Sequence, residues 1–205
     1  PLQAIYSLGS MGKENSGNII SNNYIYDFFS ASFSSSYGIS IAGASTDFII
    51  SGNSFYETAV FTPVSGNNYN AIRVLSNTNH TIRNNYIGGT APNCGGSAMT
   101  ISANLPHYFC GIMVSGGTSG ATLVENNLIS NIDYTSTQSN PWDGIFVHAG
   151  NVNVYGNTIG ATTGTGSIII RTPCASASAT ISGGVVQSVI LNGGGSGYSS
   201  APVIT

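Results

Sequence analysis

The sequence predicts an all-β chain built as a solenoid of about five stacked coils, and three observations lead there. Helix formers are scarce and no stretch sustains a 3.6-residue apolar period. Apolar residues instead come in short, β-branched bursts separated by Gly, Asn and Ser, the pattern of short strands and turns. Most telling, one of those bursts recurs along the chain with an asparagine at a fixed place.

The recurring element is "IISNNYI" at Ile19 to Ile25, "IISGNSF" at Ile49 to Phe55, "TIRNNYI" at Thr81 to Ile87, "LVENNLI" at Leu123 to Ile129 and "NVYGNTI" at Asn153 to Ile159. Each copy places Asn or Gly and then an asparagine between apolar flanks. The shared asparagines are Asn23, Asn53, Asn85, Asn127 and Asn157, with separations of 30, 32, 42 and 30 residues.

A second element precedes four of them: "GISI" from Gly38, "AIRV" from Ala71, "GIMV" from Gly111 and "GIFV" from Gly144, with "AIYS" from Ala4 as a looser copy. Period-2 patterning puts Ile39 and Ile41, Ile72 and Val74, Ile112 and Val114, and Ile145 and Val147 on one face of their strands. A single repeat cannot bury that face. Stacked repeats can, with equivalent strands in parallel about 4.8 Å apart. The asparagine then has two physical uses: Asn tolerates the left-handed backbone of a sharp turn, and identical amides stacked at the coil spacing can hydrogen-bond as a ladder. Asn22, at a site that alternates with Gly, reads as a turn residue beside that ladder.

The "GI-x-V" strand followed by "I-x-x-N-x-I" resembles the repeat of right-handed, pectin-lyase-like parallel β-helix proteins over roughly residues 4 to 170. That resemblance implies a right-handed parallel β-helix, placed here at 1–172. From about Pro173 the composition changes, and 173–205 is expected to begin a separate small Gly/Ser-rich β module, similar to those that follow β-helices in large secreted bacterial proteins. The chain is accordingly expected to be a segment of a longer extracellular or cell-surface polypeptide. Export by the type IX pathway is suggested by general resemblance to such proteins.

Composition narrows the functions. Only 5% of the 205 residues are charged and the net charge is −3, so no basic field exists to hold nucleic acid. No apolar run reaches the 18 residues of a membrane-spanning helix. Hydrophobic residues make up 41%, enough for a real core, while the polar surface is rich in hydroxyls and amides.

Repeat length varies between the apolar residue after the ladder Asn and the next "GI-x-V" strand, and these loops carry rings. They hold Phe28, Phe29, Phe33 and Tyr37, then Tyr56, Phe61 and Tyr69, then His107, Tyr108 and Phe109, then Tyr134 and Trp142. Two readings stay open: the rings seal the edge of the core, or they present a surface for stacking on sugars. On the second reading Trp142 and Tyr134, beside Asp133 and Asp143, and Tyr108 with His107, are the contact candidates.

Cys94 and Cys110 bracket the insertion of the longest repeat, and a disulfide there would close a loop of about 15 residues, worth about 3 kcal/mol. Cys174 is left over. No Cys or His spacing resembles a zinc site, and no metal site is expected. Arg83 and Glu125 share a repeat position and should face each other on adjacent coils as an exposed ion pair.

The resemblance implies two catalytic options, a Lys or Arg base near Ca²⁺-binding acids in lyases, and clustered Asp residues in hydrolases. Lys13 is the one lysine, and Asp133 with Asp143 is the acid pair that could meet, around Ca²⁺ or as a couple. No cofactor is otherwise expected. The functional expectation is a noncatalytic stalk or adhesin-type module that binds glycans or a surface partner. The alternative is a polysaccharide lyase or glycoside hydrolase with its catalytic residues elsewhere.

Overall fold

The computed structural model describes residues 2–31, 35–64, 66–76, 78–103, 105–137, 142–161, 166–171, 176–182 and 185–193. The first coil holds β1 (Leu2–Gly9), β2 (Asn15–Ser16), β3 (Ile19–Ser21) and β4 (Tyr24–Tyr26). The second holds β5 (Ser36–Gly43), β6 (Ser45–Thr46), β7 (Ile49–Ser51) and β8 (Ser54–Tyr56). The third comprises β9 (Asn68–Ser76), β10 (Thr81–Arg83), β11 (Tyr86–Ile87) and β12 (Met99–Ser102). The fourth comprises β13 (Tyr108–Ser115), β14 (Thr122–Glu125), β15 (Leu128–Ile129) and β16 (Ile132–Thr135). The fifth runs through β17 (Trp142–Ala149), β18 (Val152–Tyr155), β19 (Thr158–Ile159) and β20 (Ile168–Arg171). Two further strands, β21 (Ser176–Ser182) and β22 (Val185–Gly193), follow.

Equivalent strands pair in parallel from coil to coil. One sheet runs β1-β5-β9-β13-β17, a second β3-β7-β10-β14-β18, a third β4-β8-β11-β15-β19, and a fourth β12-β16-β20 closes the last three coils. The chain is thus a parallel β-solenoid of five coils, and "AIYS" is a true first copy inside β1, with Ile5 opposite Ile39. Only β21 and β22 pair antiparallel among the strands longer than a bridge, so strand pairing changes character where the composition does. Among the described residues no helix is long and apolar enough to cross a membrane.

The core is a set of side-chain columns. Ile39, Ile72 and Ile112 stack in register, as do Ile41, Val74 and Val114, and all six are 0% exposed. Ile50, Ile82 and Val124 form a third column before the ladder, and Phe55, Ile87 and Ile129 a fourth after it. Full burial of each such side chain is worth about 1.5–3 kcal/mol, so neighbouring coils stabilise one another chiefly through these columns. In the fifth coil the corresponding Val147, Val154 and Ile159 are 40%, 46% and 50% exposed, because no further described coil covers them.

The asparagine ladder is continuous. Asn23, Asn53, Asn85 and Asn127 each donate both the backbone N–H and Nδ2 to Oδ1 of the next asparagine, at 2.9–3.0 Å throughout. The second Nδ2 proton goes backwards: Asn53 reaches the Ile20 carbonyl, Asn85 that of Ile50, Asn127 that of Ile82 and Asn157 that of Val124. Each inner amide therefore ties three coils together and leaves no buried donor unpaired.

The left-handed backbone is not at the ladder residue. It lies one position earlier, at Asn22, Gly52, Asn84, Asn126 and Gly156, with φ between 54° and 67°. The two expected uses of asparagine are thus divided between adjacent sites. Gly52 is fixed further by its neighbour, since an added Cβ would come within 2.4 Å of Asn22 Oδ1. The glycine of "GI-x-V" has a separate cause: a Cβ on Gly38 would lie 2.6 Å from the Ala71 carbonyl and 2.7 Å from the Phe55 ring.

Two outcomes follow for stability. Asn85→Ala, which strips the acceptor from both donors of buried Asn53, is expected to cost about 3 kcal/mol in urea unfolding, and Asn23→Ala at the exposed edge no more than about 1 kcal/mol. Gly52→Ala is expected to cost about 1–3 kcal/mol from the left-handed backbone and the Asn22 contact, whereas Asn84→Gly should stay within about 1 kcal/mol of the parent.

Candidate functional site

The aromatic loops fold inward. Tyr69, Phe109 and Trp142 are register partners on β9, β13 and β17 and form a ring stack, with centroids 5.1 Å and 5.8 Å apart and planes within 15° and 8° of parallel. Phe28 and Phe29 pack on Tyr69, and Phe29 also meets Phe61 and His107. Tyr69, Phe109, Tyr134 and His107 are 0% exposed. Of the two open readings for these rings, core sealing holds at these positions; Phe33 lies outside the described residues.

The expected contact residues are accordingly dispersed. Tyr134 and His107 form an internal pair: the Tyr134 hydroxyl is 2.7 Å from both the His107 carbonyl and Nδ1. Burial holds the His107 imidazole neutral, with its pKa pushed down to about 4. Trp142 is half-buried with one face on Phe109. Asp133 on β16 is held by Arg171 of the next coil at 3.0 and 3.1 Å, while Asp143 on β17 accepts from the Tyr108 hydroxyl. The two carboxylates thus sit on different faces with different partners and make no acid pair. No group of three metal-ligating side chains occurs among the described residues.

The Cys94–Cys110 disulfide is also corrected: both thiols are free. The insertion they bracket is not a closed loop, because it contains β12, a strand of the fourth sheet, and the two residues lie on either side of it. Cys94 sits in a turn with Sγ 3.7 Å from the Leu128 carbonyl, and Cys110 is buried on β13, where burial pushes its thiol up to about 12. Neither is an activated nucleophile. Cys174 lies outside the described residues.

A different surface offers a site. Along the positions that flank the ladder, side-chain size differs from coil to coil. One row reads Tyr24, Ser54, Tyr86, Leu128, Thr158 and the other Ser21, Ser51, Arg83, Glu125, Tyr155. The second coil contributes only Ser51 and Gly52 to the lining, which opens a slot of about 540 Å³. Tyr24 and Asn22 wall it on the first coil, and Arg83, Asn84 and Tyr86 on the third. Tyr24 is 63% exposed, and the two tyrosines stand two coils, about 10 Å, apart along the axis.

Asn93 closes one end of the slot. It sits with left-handed φ in the turn after β11, pinned by Ser54, whose hydroxyl lies 3.1 Å from its backbone N and 3.3 Å from its Oδ1. Beyond it a second depression of about 560 Å³ runs over Leu128, Ser130, Asn131 and Thr158. Asn131 holds the intervening turn by donating to the carbonyls of Cys94, Gly96 and Ser97. The two depressions meet at Asn93 and follow the solenoid axis. The first is lined by amides, Ser51, Gly52, two tyrosines and Arg83, the second by amides, hydroxyls, glycines, Cys94, Leu128 and Ala161, and no carboxylate is among the described lining residues of either.

Arg83 and Glu125 are register partners as expected, but no ion pair joins them among the described residues. The sequence signal for this site was small Ser51 and Gly52 at the repeat positions that hold Arg83 and Asn84 on the next coil, which is visible only once the coils are aligned by their ladder asparagines.

One buried acid lies away from the slot. Glu57 is 4% exposed, and burial, with Asp27 nearby, pushes its carboxyl up to about 8. Its folded pKa is raised, so its contribution to stability is complete below about pH 4.5 and is lost as pH rises toward 8. Melting temperature is therefore expected to fall by circular dichroism between about pH 6.5 and 8, and Glu57→Gln should flatten the slope there, whereas below about 6.5 the opposite titration of His107 offsets it. His107 acts in the opposite sense: its depressed pKa removes stability as pH falls from about 6.5 through about 4.

No family model, no curated protein and no solved structure matches this chain.

Proposed function

We propose that the chain is a noncatalytic extracellular binding module: a rigid β-solenoid that presents the ladder-side slot to a hydroxyl-rich saccharide. The observation that carries this reading is the slot itself, about 540 Å³ between Tyr24 and Tyr86 with amide and hydroxyl groups around it. Its size falls in the range of small-ligand sites, and aromatic faces among convergent amides suit the apolar face and hydroxyl rim of a sugar ring. The low charge of the chain agrees with recognition by stacking and hydrogen bonds.

Rigidity supports the same reading. Both walls hang from the ladder, where Asn23, Asn53 and Asn85 fix three successive coils by paired hydrogen bonds. A binding surface held this way loses little entropy on association. Against catalysis stand the separate commitments of Asp133 and Asp143, and the burial of Glu57, whose Oε1 is closed to solvent.

A panel of oligosaccharides titrated by calorimetry tests the proposal. Binding is expected in the micromolar to millimolar range, and Tyr24→Ala with Tyr86→Ala should weaken it at least about tenfold while leaving the melting temperature within a few degrees, since both rings point outward. Trp142→Ala should lower stability and leave slot affinity unchanged. Absence of binding across the panel, or unchanged affinity in the double variant, would overturn the reading. Release of unsaturated or reducing-end products would replace it with an enzyme.

A further inference from the structure

We infer that the slot takes an anionic saccharide, one carrying a carboxylate or a sulfate ester, and that Arg83 is the residue that grips the anionic group. This deepens the binding proposal above and rests on it. The case begins with where the cations of the chain are spent. There are four Lys and Arg residues, and the described structure accounts for each differently. Arg171 chelates Asp133 through Nε and a terminal nitrogen. Arg73 lies over the Tyr37 ring, 4.6 Å from its centroid. Lys13 lies on the first coil, away from the slot, where its backbone bridges Ser10.

Arg83 has no such commitment among the described residues. It ends β10, is exposed, and lines the slot. Its neighbours in register are Ser51 on one side and Glu125 on the other, so the obvious partner is Glu125. No ion pair joins the two among the described residues, and Tyr155 of the following coil is the register partner of Glu125 on its other side. The repeat thus places acid and base in register without joining them.

What surrounds Arg83 is matched to an oxyanion attached to a polar body. The rest of the lining is Asn22, Ser51, Gly52, Asn84 and Asn93 with the two tyrosines, with no carboxylate among them, while Glu125 lies beside Arg83 outside the lining. A guanidinium binds carboxylate or sulfate oxygens through two parallel N–H donors, which fixes orientation as well as adding energy. The amides of Asn84 and Asn93 are placed to meet hydroxyls of the same ligand, and Tyr86, next to Arg83 across the ladder turn, offers a ring face. The net charge of −3 supplies no long-range attraction for an anion, so selectivity for acidic ligands must come from this contact.

The test uses the intact chain and matched ligands: one neutral oligosaccharide, its uronic-acid counterpart and its sulfated counterpart, with inorganic sulfate as the bare oxyanion. An acidic form is expected to bind at least about tenfold tighter than the neutral one, and the two acidic arms show which oxyanion fits. Arg83→Gln should abolish that difference, so that acidic and neutral ligands bind this variant equally, at an unchanged melting temperature, and Arg83→Lys should restore part of it. Raising salt should weaken acidic binding alone. Equal affinity for neutral and acidic ligands, or an unchanged preference in Arg83→Gln, would overturn the inference and leave the binding proposal standing. Inorganic sulfate competing as strongly as the sulfated sugar would reduce the site to an oxyanion site and overturn it too. Failure of every saccharide would remove both.

Discussion

The amide ladder is the interaction on which the rest of the structure depends. A parallel solenoid needs each coil to land on the last in register, because a one-residue slip turns every inward side chain outward. Hydrophobic columns exclude that slip but tolerate one of two residues, which keeps the inward face inward. The ladder does not: Asn53, Asn85 and Asn127 each bond the next amide twice and the previous coil's backbone once, so only one register satisfies the buried donors. Leaving such donors unpaired would cost more than any single surface contact in the molecule returns.

The ladder also separates what must stay constant from what is free to vary. Inward positions keep Ile, Val and Phe, and the turn position before each ladder residue keeps Asn or Gly because its backbone is left-handed. The outward positions beside the same turn carry Ser, Arg, Glu, Tyr, Leu and Thr without disturbing either. A slot can therefore be cut by nothing more than small residues on one coil between large ones on its neighbours. The second coil supplies Ser51 and Gly52 between Tyr24 and Tyr86, so the slot lies directly beside the ladder. Aromatic residues in the longer connections do other work, since Phe28, Phe29 and Tyr69 wedge against the column that ends at Trp142.

Reading the sequence succeeded where the physics is periodic and local. The five ladder asparagines, the "GI-x-V" strands and the Arg83–Glu125 register all follow from spacing, and parallel pairing places them where spacing says. It failed where a residue's role depends on what closes over it. Cys94 and Cys110 looked like the ends of one loop, but β12 intervenes and the thiols stay apart. Tyr134 and His107 looked like surface rings, but the fourth sheet carries Tyr134 into the core, where its hydroxyl turns to His107. Asp133 and Asp143 are close in sequence yet belong to different faces of the coil.

The sequence by itself determined the all-β class, the number of coils, their register and which residue of each repeat makes the ladder, because each of these is a periodic property that repeats must share. Only the tertiary structure decided which side of each coil is exposed in the long connections, which charged groups find partners, and where a depression forms. Those outcomes depend on side chains from different coils meeting across a surface, as when Arg83 and Glu125 come into register without pairing and Arg83 lines the slot. A linear spacing rule contains no term for such a choice.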